Sequence, residues 1–242
     1  MRYFLEVSYK GTRYSGFQIQ DKGATIQGEI ERALAIFFKE TFVLTGSSRT
    51  DSGVHAFQNF FHFDWNRDFD IKWMYNLNAI LPGDIVIKEI RRVADDAHSR
   101  FDALSRSYVY KVYQFKNAFL ADTAYFYPYP LDLEAMNQAA SLLKSFKDFS
   151  SFSKKNTQVK TFHCNLMESY WVQENDLFLY HVTANRFLRG MVRALVATML
   201  RVGRQSLTIE AFEQVIRQAN CGTAWFDAPA RGLTLQRVTY PI

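Results

Sequence analysis

The chain has 242 residues, 48% of them hydrophobic, and a formal net charge of +5, which excludes wholesale disorder and leaves room for one large domain or two of about a hundred residues each. No run of about 18 apolar residues occurs, so no membrane span is expected, and Glu6 interrupts the N-terminal apolar run where a signal peptide would need its core. Cys164 and Cys221 are far apart and in no CxxC spacing, so they read as reduced thiols of a cytosolic protein, not as a zinc pair or a disulfide framework.

Residues 2–10 predict a strand, with Tyr3, Leu5, Val7 and Tyr9 on one face. Thr25 is a helix N-cap candidate, and Ile26, Ile30, Ala33, Leu34 and Phe37 follow at helical spacing. Phe42-Val43-Leu44 and residues 57–63 read as strands on either side of a small, polar segment. Asp70 is expected to cap a short helix ending before Leu81-Pro82-Gly83, and residues 84–93 alternate as a strand. The pattern then resets, with Tyr108-Val109-Tyr110-Lys111-Val112-Tyr113 strongly β-prone. A helix is expected from Asp132 through Phe146, then a hairpin of strands near residues 160–173 and 176–184. A long helix over about residues 187–202, a shorter one after Thr208 and a strand over residues 232–240 complete the chain. Strand and helix runs thus alternate twice, which suggests an α+β fold of two similar halves, residues 1–104 and 105–242, packed around a largely antiparallel mixed sheet.

The most informative segment is Thr45-Gly46-Ser47-Ser48-Arg49-Thr50-Asp51-Ser52-Gly53-Val54-His55-Ala56-Phe57. It offers one carboxylate, Asp51, among small residues between two apolar runs, with Arg49 two positions before it. Strand, tight loop and strand can present one reactive side chain on a rigid base, although Asp-Ser-Gly is also an ordinary turn tripeptide. In the long helix, Leu188, Met191, Val192, Leu195, Val196 and Met199 form an apolar face. Arg186, Arg189, Arg193, Arg201 and Arg204 line the other side, with no acidic residue on the helix. Arginine suits bidentate contact with phosphate or carboxylate, and the net basic charge fits a polyanionic partner; a solvated helix face is the plainer alternative.

Five segments occur together, in a fixed order and over almost the whole chain. They are Tyr9-Lys10-Gly11-Thr12-Arg13-Tyr14-Ser15-Gly16-Phe17-Gln18-Ile19-Gln20 followed by Thr25-Ile26-Gln27-Gly28, the Arg49 to Ala56 run, Ser105-Arg106-Ser107-Tyr108-Val109-Tyr110, Asn185-Arg186-Phe187-Leu188-Arg189-Gly190-Met191-Val192-Arg193, and Ala228-Pro229-Ala230-Arg231-Gly232-Leu233-Thr234-Leu235-Gln236-Arg237-Val238-Thr239-Tyr240-Pro241. As a set they resemble the TruA family, tRNA pseudouridine(38–40) synthases. The resemblance implies the pseudouridine synthase fold with an active-site cleft between the halves, a homodimer acting on tRNA, and neither metal nor organic cofactor. It implies that Asp51 is the catalytic aspartate, that Tyr108 packs on the target base, that Arg193 pairs with the carboxylate, and that Arg49 helps turn the nucleotide out. Arg106 and Arg189 become candidates for substrate contact. Ser48, Ser52 and Phe17 stand where the family usually has Gly, Ala and Trp, and Arg189-Gly190 where it commonly has a bulkier pair.

Three rival readings use some of the same residues. An aspartic protease needs two carboxylates sharing a proton, and no second Asp-Ser-Gly or Asp-Thr-Gly occurs. A metal site could draw on Asp51, His55, His62 and Asp64, but nothing in their spacing fixes four ligands. A non-catalytic RNA-binding relative would be expected to have lost Asp51, Tyr108 or Arg193.

Overall fold

The computed structural model describes residues 1–157 and 159–241. Among these, five α-helices and nine strands make an α+β fold, and the chain divides into two compact units. One is Met1–Leu104 together with the residues from Thr234 onward, and the other is Ser105–Leu233.

In the first unit, β1 (Arg2–Tyr9) lies antiparallel between β3 (His55–Asp64) and β4 (Ile85–Val93), while a two-residue β2 (Thr45–Gly46) pairs with β3. The last strand of the chain, β9 (Leu233–Thr239), runs parallel to β3, with His55 opposite Thr234 and Ala56 opposite Leu235. Helix α1 (Ile26–Phe38) starts where Thr25 accepts the Gly28 N–H at 3.2 Å, and it buries Ile26, Ile30, Ala33 and Leu34. Removing each large apolar side chain of that stripe from water stabilises by roughly 1.5–3 kcal/mol, so Ile30→Asp would break the unit. Helix α2 (Trp73–Ile80) begins later than its sequence suggests. Its N-cap is Lys72, and Asp70 instead accepts the Lys72 N–H at 2.9 Å in the preceding turn. Phe42-Val43-Leu44 makes no ladder: Phe42 and Leu44 are buried, Val43 is exposed, and pairing begins only at Thr45.

In the second unit, β5 (Ser105–Tyr113), β8 (Leu177–Ala184) and β7 (Leu166–Glu174) form an antiparallel run, and β6 (Tyr125–Phe126) adds in parallel to β5. The expected hairpin exists, but its first strand starts at Leu166, and Asn175 turns it with φ 52°. Helix α3 (Leu133–Leu143) is capped by Asp132 and packs on β7. Helix α4 (Met191–Gly203) packs against α3 and against α5 (Ile209–Arg217), which Thr208 caps. Gly203 is required here, because a Cβ would stand 2.7 Å from the Met136 side chain.

Helix α4 departs from expectation at its start. The apolar spacing continues back to Leu188, but Gly190 takes φ 76° and becomes the N-cap, so Arg186 and Arg189 precede the helix. The helix is also buried nearly all round, with Ala194, Ala197, Thr198 and Leu200 inside as well as the expected face.

Candidate active site

Asp51 stands in a loop that the first unit fastens from both sides. The side chain of Asn59 on β3 is wholly buried. Its Nδ2 donates to the Ser48 carbonyl at 2.8 Å and to the Tyr9 hydroxyl at 3.1 Å, and its Oδ1 accepts the Phe60 N–H. With one lone pair taken by Asn59, the Tyr9 hydroxyl is placed to donate to Thr50 Oγ1, 2.8 Å away. Burial pushes the Tyr9 phenol well above its ordinary pKa, so it stays a proton donor at any physiological pH. On the other side, Phe17 N–H donates to the Thr50 carbonyl at 3.1 Å, and Ser52 Oγ donates to the Tyr14 carbonyl at 2.9 Å. Thr50 is buried, Asp51 half-buried, and Arg49 and Ser52 exposed.

The turn tripeptide performs its ordinary role within this clamp. Val54 N–H returns to the Asp51 carbonyl at 3.1 Å, and Gly53 takes φ 80°, the left-handed position a type II turn needs. Gly11 is needed for close approach, since a Cβ there would lie 2.0 Å from the Val54 carbonyl oxygen. Its N–H donates to His55 Nδ1 at 3.0 Å. Asp51 is thus an ordinary turn aspartate by backbone, with a half-buried carboxylate on a rigid base.

The remaining candidates lie in the second unit. Tyr108, on β5 opposite Val182, is 8% exposed and meets the Phe187 ring edge-on at 5.2 Å. Arg106 donates from Nη1 to the Asn185 carbonyl at 3.0 Å, tying β5 to the segment before α4. Arg193, half-buried on α4, donates from Nε to the Ala228 carbonyl at 2.7 Å, which sets the plane of its guanidinium. The acceptor is itself in a held stretch. Tyr110 donates to the Pro229 carbonyl at 2.7 Å, and Arg201 pairs with Asp227 at 2.9 Å while lying 4.7 Å over the Trp225 ring. Gly232 is packed so closely under Tyr110 that a Cβ would come within 2.5 Å of its ring.

The arginine stripe is therefore several things and not one surface. Arg193 and Arg201 fasten the 225–229 segment. Arg204 lies 3.7 Å over Tyr129. Arg189 is exposed ahead of the helix, and its carbonyl accepts the Lys154 N–H at 3.1 Å. The absence of an acidic partner on the helix itself misled the reading of Arg201, because Asp227 arrives from another segment.

The metal reading finds no support in the geometry. Asp64 is held in a two-point bridge by Arg2, His62 Nδ1 lies 2.8 Å from Ser99 Oγ, and His55 Nδ1 is taken by Gly11. Among the described residues no group of three or more His, Cys, Asp or Glu could hold a metal ion.

Sequence reasoning missed Asn59, Tyr9 as a loop anchor, and the pair Arg201 and Asp227. For Asn59 a signal existed: an amide inside the run Phe57-Gln58-Asn59-Phe60-Phe61, at a position whose alternation demands burial.

The family model described as tRNA pseudouridine synthase matches residues 6–102 and 139–241. The chain is similar to the tRNA pseudouridine synthase A of Parabacteroides distasonis, 44% identical over 242 residues, covering 99% of this chain and 96% of that one. It is 42% identical to that of Bacteroides fragilis over 243 residues, with the same two coverages of 99% and 96%. It is 38% identical to that of Staphylococcus aureus strain MRSA252 over 241 residues, covering 98% and 91%.

Proposed function

The chain belongs to the TruA family of tRNA pseudouridine synthases, and we propose that Asp51 is the nucleophile with which it isomerises uridine to pseudouridine at positions 38–40 of the anticodon arm. The isomerisation breaks the N1–C1′ bond, turns the uracil and rejoins it through C5. C5 loses a proton and N1 gains one, so the balance needs no oxidant, group donor or cofactor.

A carboxylate can act as a nucleophile or base. Attack at C1′, attack at C6 and a glycal route all start from that carboxylate. Tyr108 supplies a face for the turned-out base and a hydroxyl for the C5 proton. Arg193 is a further catalytic residue of the reaction. Arg49 assists extrusion of the nucleotide, since a base inside a stem must leave its stack to react. Arg106 and Arg189 contact the substrate backbone. The protein acts as a cytosolic homodimer. Among the described residues no helix is long and apolar enough to cross a membrane.

The observation that carries this reading is the double clamp on the Asp51 loop, in a chain that matches the family from end to end. Fixed geometry at a reacting group is what converts binding into rate. The test is to incubate the protein with unmodified tRNA transcripts and map pseudouridine by carbodiimide-dependent primer-extension stops. Stops in the anticodon arm are expected with the parent protein and none with Asp51→Ala, whose tRNA affinity should stay within about 1 kcal/mol because phosphate contacts dominate binding. Normal turnover by Asp51→Ala would refute the assignment.

A further inference from the structure

We propose that residues 97–102 present a stacking platform, Phe101 with Arg100 beside it, that takes an unstacked nucleobase of the tRNA away from the reacting uridine. This rests on the tRNA reading above and adds a contact that the isomerisation does not require. Phe101 is 73% exposed. Leaving a phenyl ring in water forgoes roughly 1.5–3 kcal/mol relative to burying it, so a rigid exposed phenyl invites a partner.

The ring stands on a column. His98 lies beneath Phe101 at 4.2 Å and 40°, His62 meets His98 at 4.6 Å, and the Arg100 guanidinium carbon is 5.7 Å from the Phe101 centroid. The column is bonded throughout. His98 Nδ1 accepts the Arg100 N–H at 3.1 Å, and His98 N–H donates to the Asp102 carboxylate at 2.7 Å. Ser99 N–H donates to His62 Nδ1 at 3.2 Å, Ser99 Oγ donates to the Thr45 carbonyl at 3.0 Å, and Tyr240 donates to the Ser99 carbonyl. His62 and Ser99 are buried, so the foot of the column belongs to the core.

Phe115 and Phe119 are also exposed, at 77% and 95%. Among the described residues, however, neither stands on a ring stack or beside a guanidinium. A protein partner would require a broad apolar patch, whereas a single exposed ring on a ring column matches one nucleobase stacked on it. Stacking of this kind tolerates any base, so the platform contributes to holding the tRNA without reading its sequence.

The test compares Phe101→Ala, Phe101→Trp and Arg100→Gln with the parent protein on one unmodified tRNA transcript, measuring dissociation constants across a salt series and pseudouridine yield. Phe101→Ala is expected to weaken binding about 5- to 150-fold, the worth of one stacked base, with an unchanged salt slope. Phe101→Trp should stay within about threefold of the parent, and Arg100→Gln should leave the salt slope unchanged, because Arg100 is engaged with the Phe101 ring. A Phe101→Ala protein binding within twofold of an active parent would overturn the platform, as would a Phe101→Trp protein as weak as Phe101→Ala. A parent that binds tRNA and makes no pseudouridine would instead sink the underlying function.

Discussion

Tyr9→Phe removes one oxygen from the buried clamp and leaves the ring in place near Phe17. Two bonds disappear, one to Thr50 Oγ1 and one from Asn59 Nδ2, and both partners are buried. A buried hydrogen bond contributes about 1 kcal/mol, and a stranded polar partner costs 1–3, so a loss of about 2 kcal/mol is expected. For a chain of this size that lowers the melting temperature by about 4–8 °C. The second effect is specific to the site. Thr50 precedes Asp51, and a misplacement of about an ångström at a reacting group costs as much as a hundredfold in rate. Single-turnover pseudouridine formation at saturating tRNA should therefore fall about tenfold or more, with the tRNA dissociation constant unchanged. A protein that melts lower yet turns over at the parent rate would show the clamp to be structural support alone, and the positional argument would fail.

Two other perturbations separate the remaining roles. Arg189→Ala is expected to weaken tRNA binding and reduce its salt slope by roughly 0.7–0.9, because the side chain is exposed ahead of α4. Arg204→Ala should instead lower the melting temperature and leave the slope alone, because Arg204 is spent on Tyr129 and Tyr127; the reverse pattern would return Arg204 to the RNA surface. His62 has its pKa pushed down to about 4, first by burial and then by the neighbouring His98. A histidine that is harder to protonate folded than unfolded leaves stability intact above about pH 6.5, and the loss grows as pH falls from there towards 4. His62→Gln should flatten the melting curve between pH 6.5 and 4, and an unchanged slope would remove His62 from the acid response.

Where one residue fixes a backbone feature, the sequence was readable. Thr25, Asp132 and Thr208 each cap the helix that follows, because a short oxygen-bearing side chain satisfies an orphan N–H locally. The alternation of Tyr3, Leu5, Val7 and Tyr9 likewise announces β1, although Phe4 is buried too, since that face of the strand is also covered. Reading failed where one residue overrules a period. Gly190 holds back the start of α4 to Met191, although the apolar spacing reaches back to Leu188. Strands β2 and β6 have two residues each, too few to show any period. In the candidate site, Asp51 and its turn were visible because they are contiguous. Asn59 reaching Ser48, and Arg201 reaching Asp227, are joined only by folding, so no local spacing announces them.

The order of synthesis has a consequence for β9. The first unit contains β1, β3 and β4, but the strand that pairs with β3 at His55 and Ala56 is encoded after the second unit. At 5–20 residues per second, the ribosome needs about 7–30 s to go from the end of β4 to the end of β9. Throughout that interval β3 carries the Asp51 loop with an open edge beside His55 and Ala56, where Thr234 and Leu235 will pair. The second unit is contiguous and can mature in that time. The Asp51 loop therefore gains β9 beside its strand only after the second unit has been synthesised, so a product stalled before β9 carries Asp51 without that neighbouring strand.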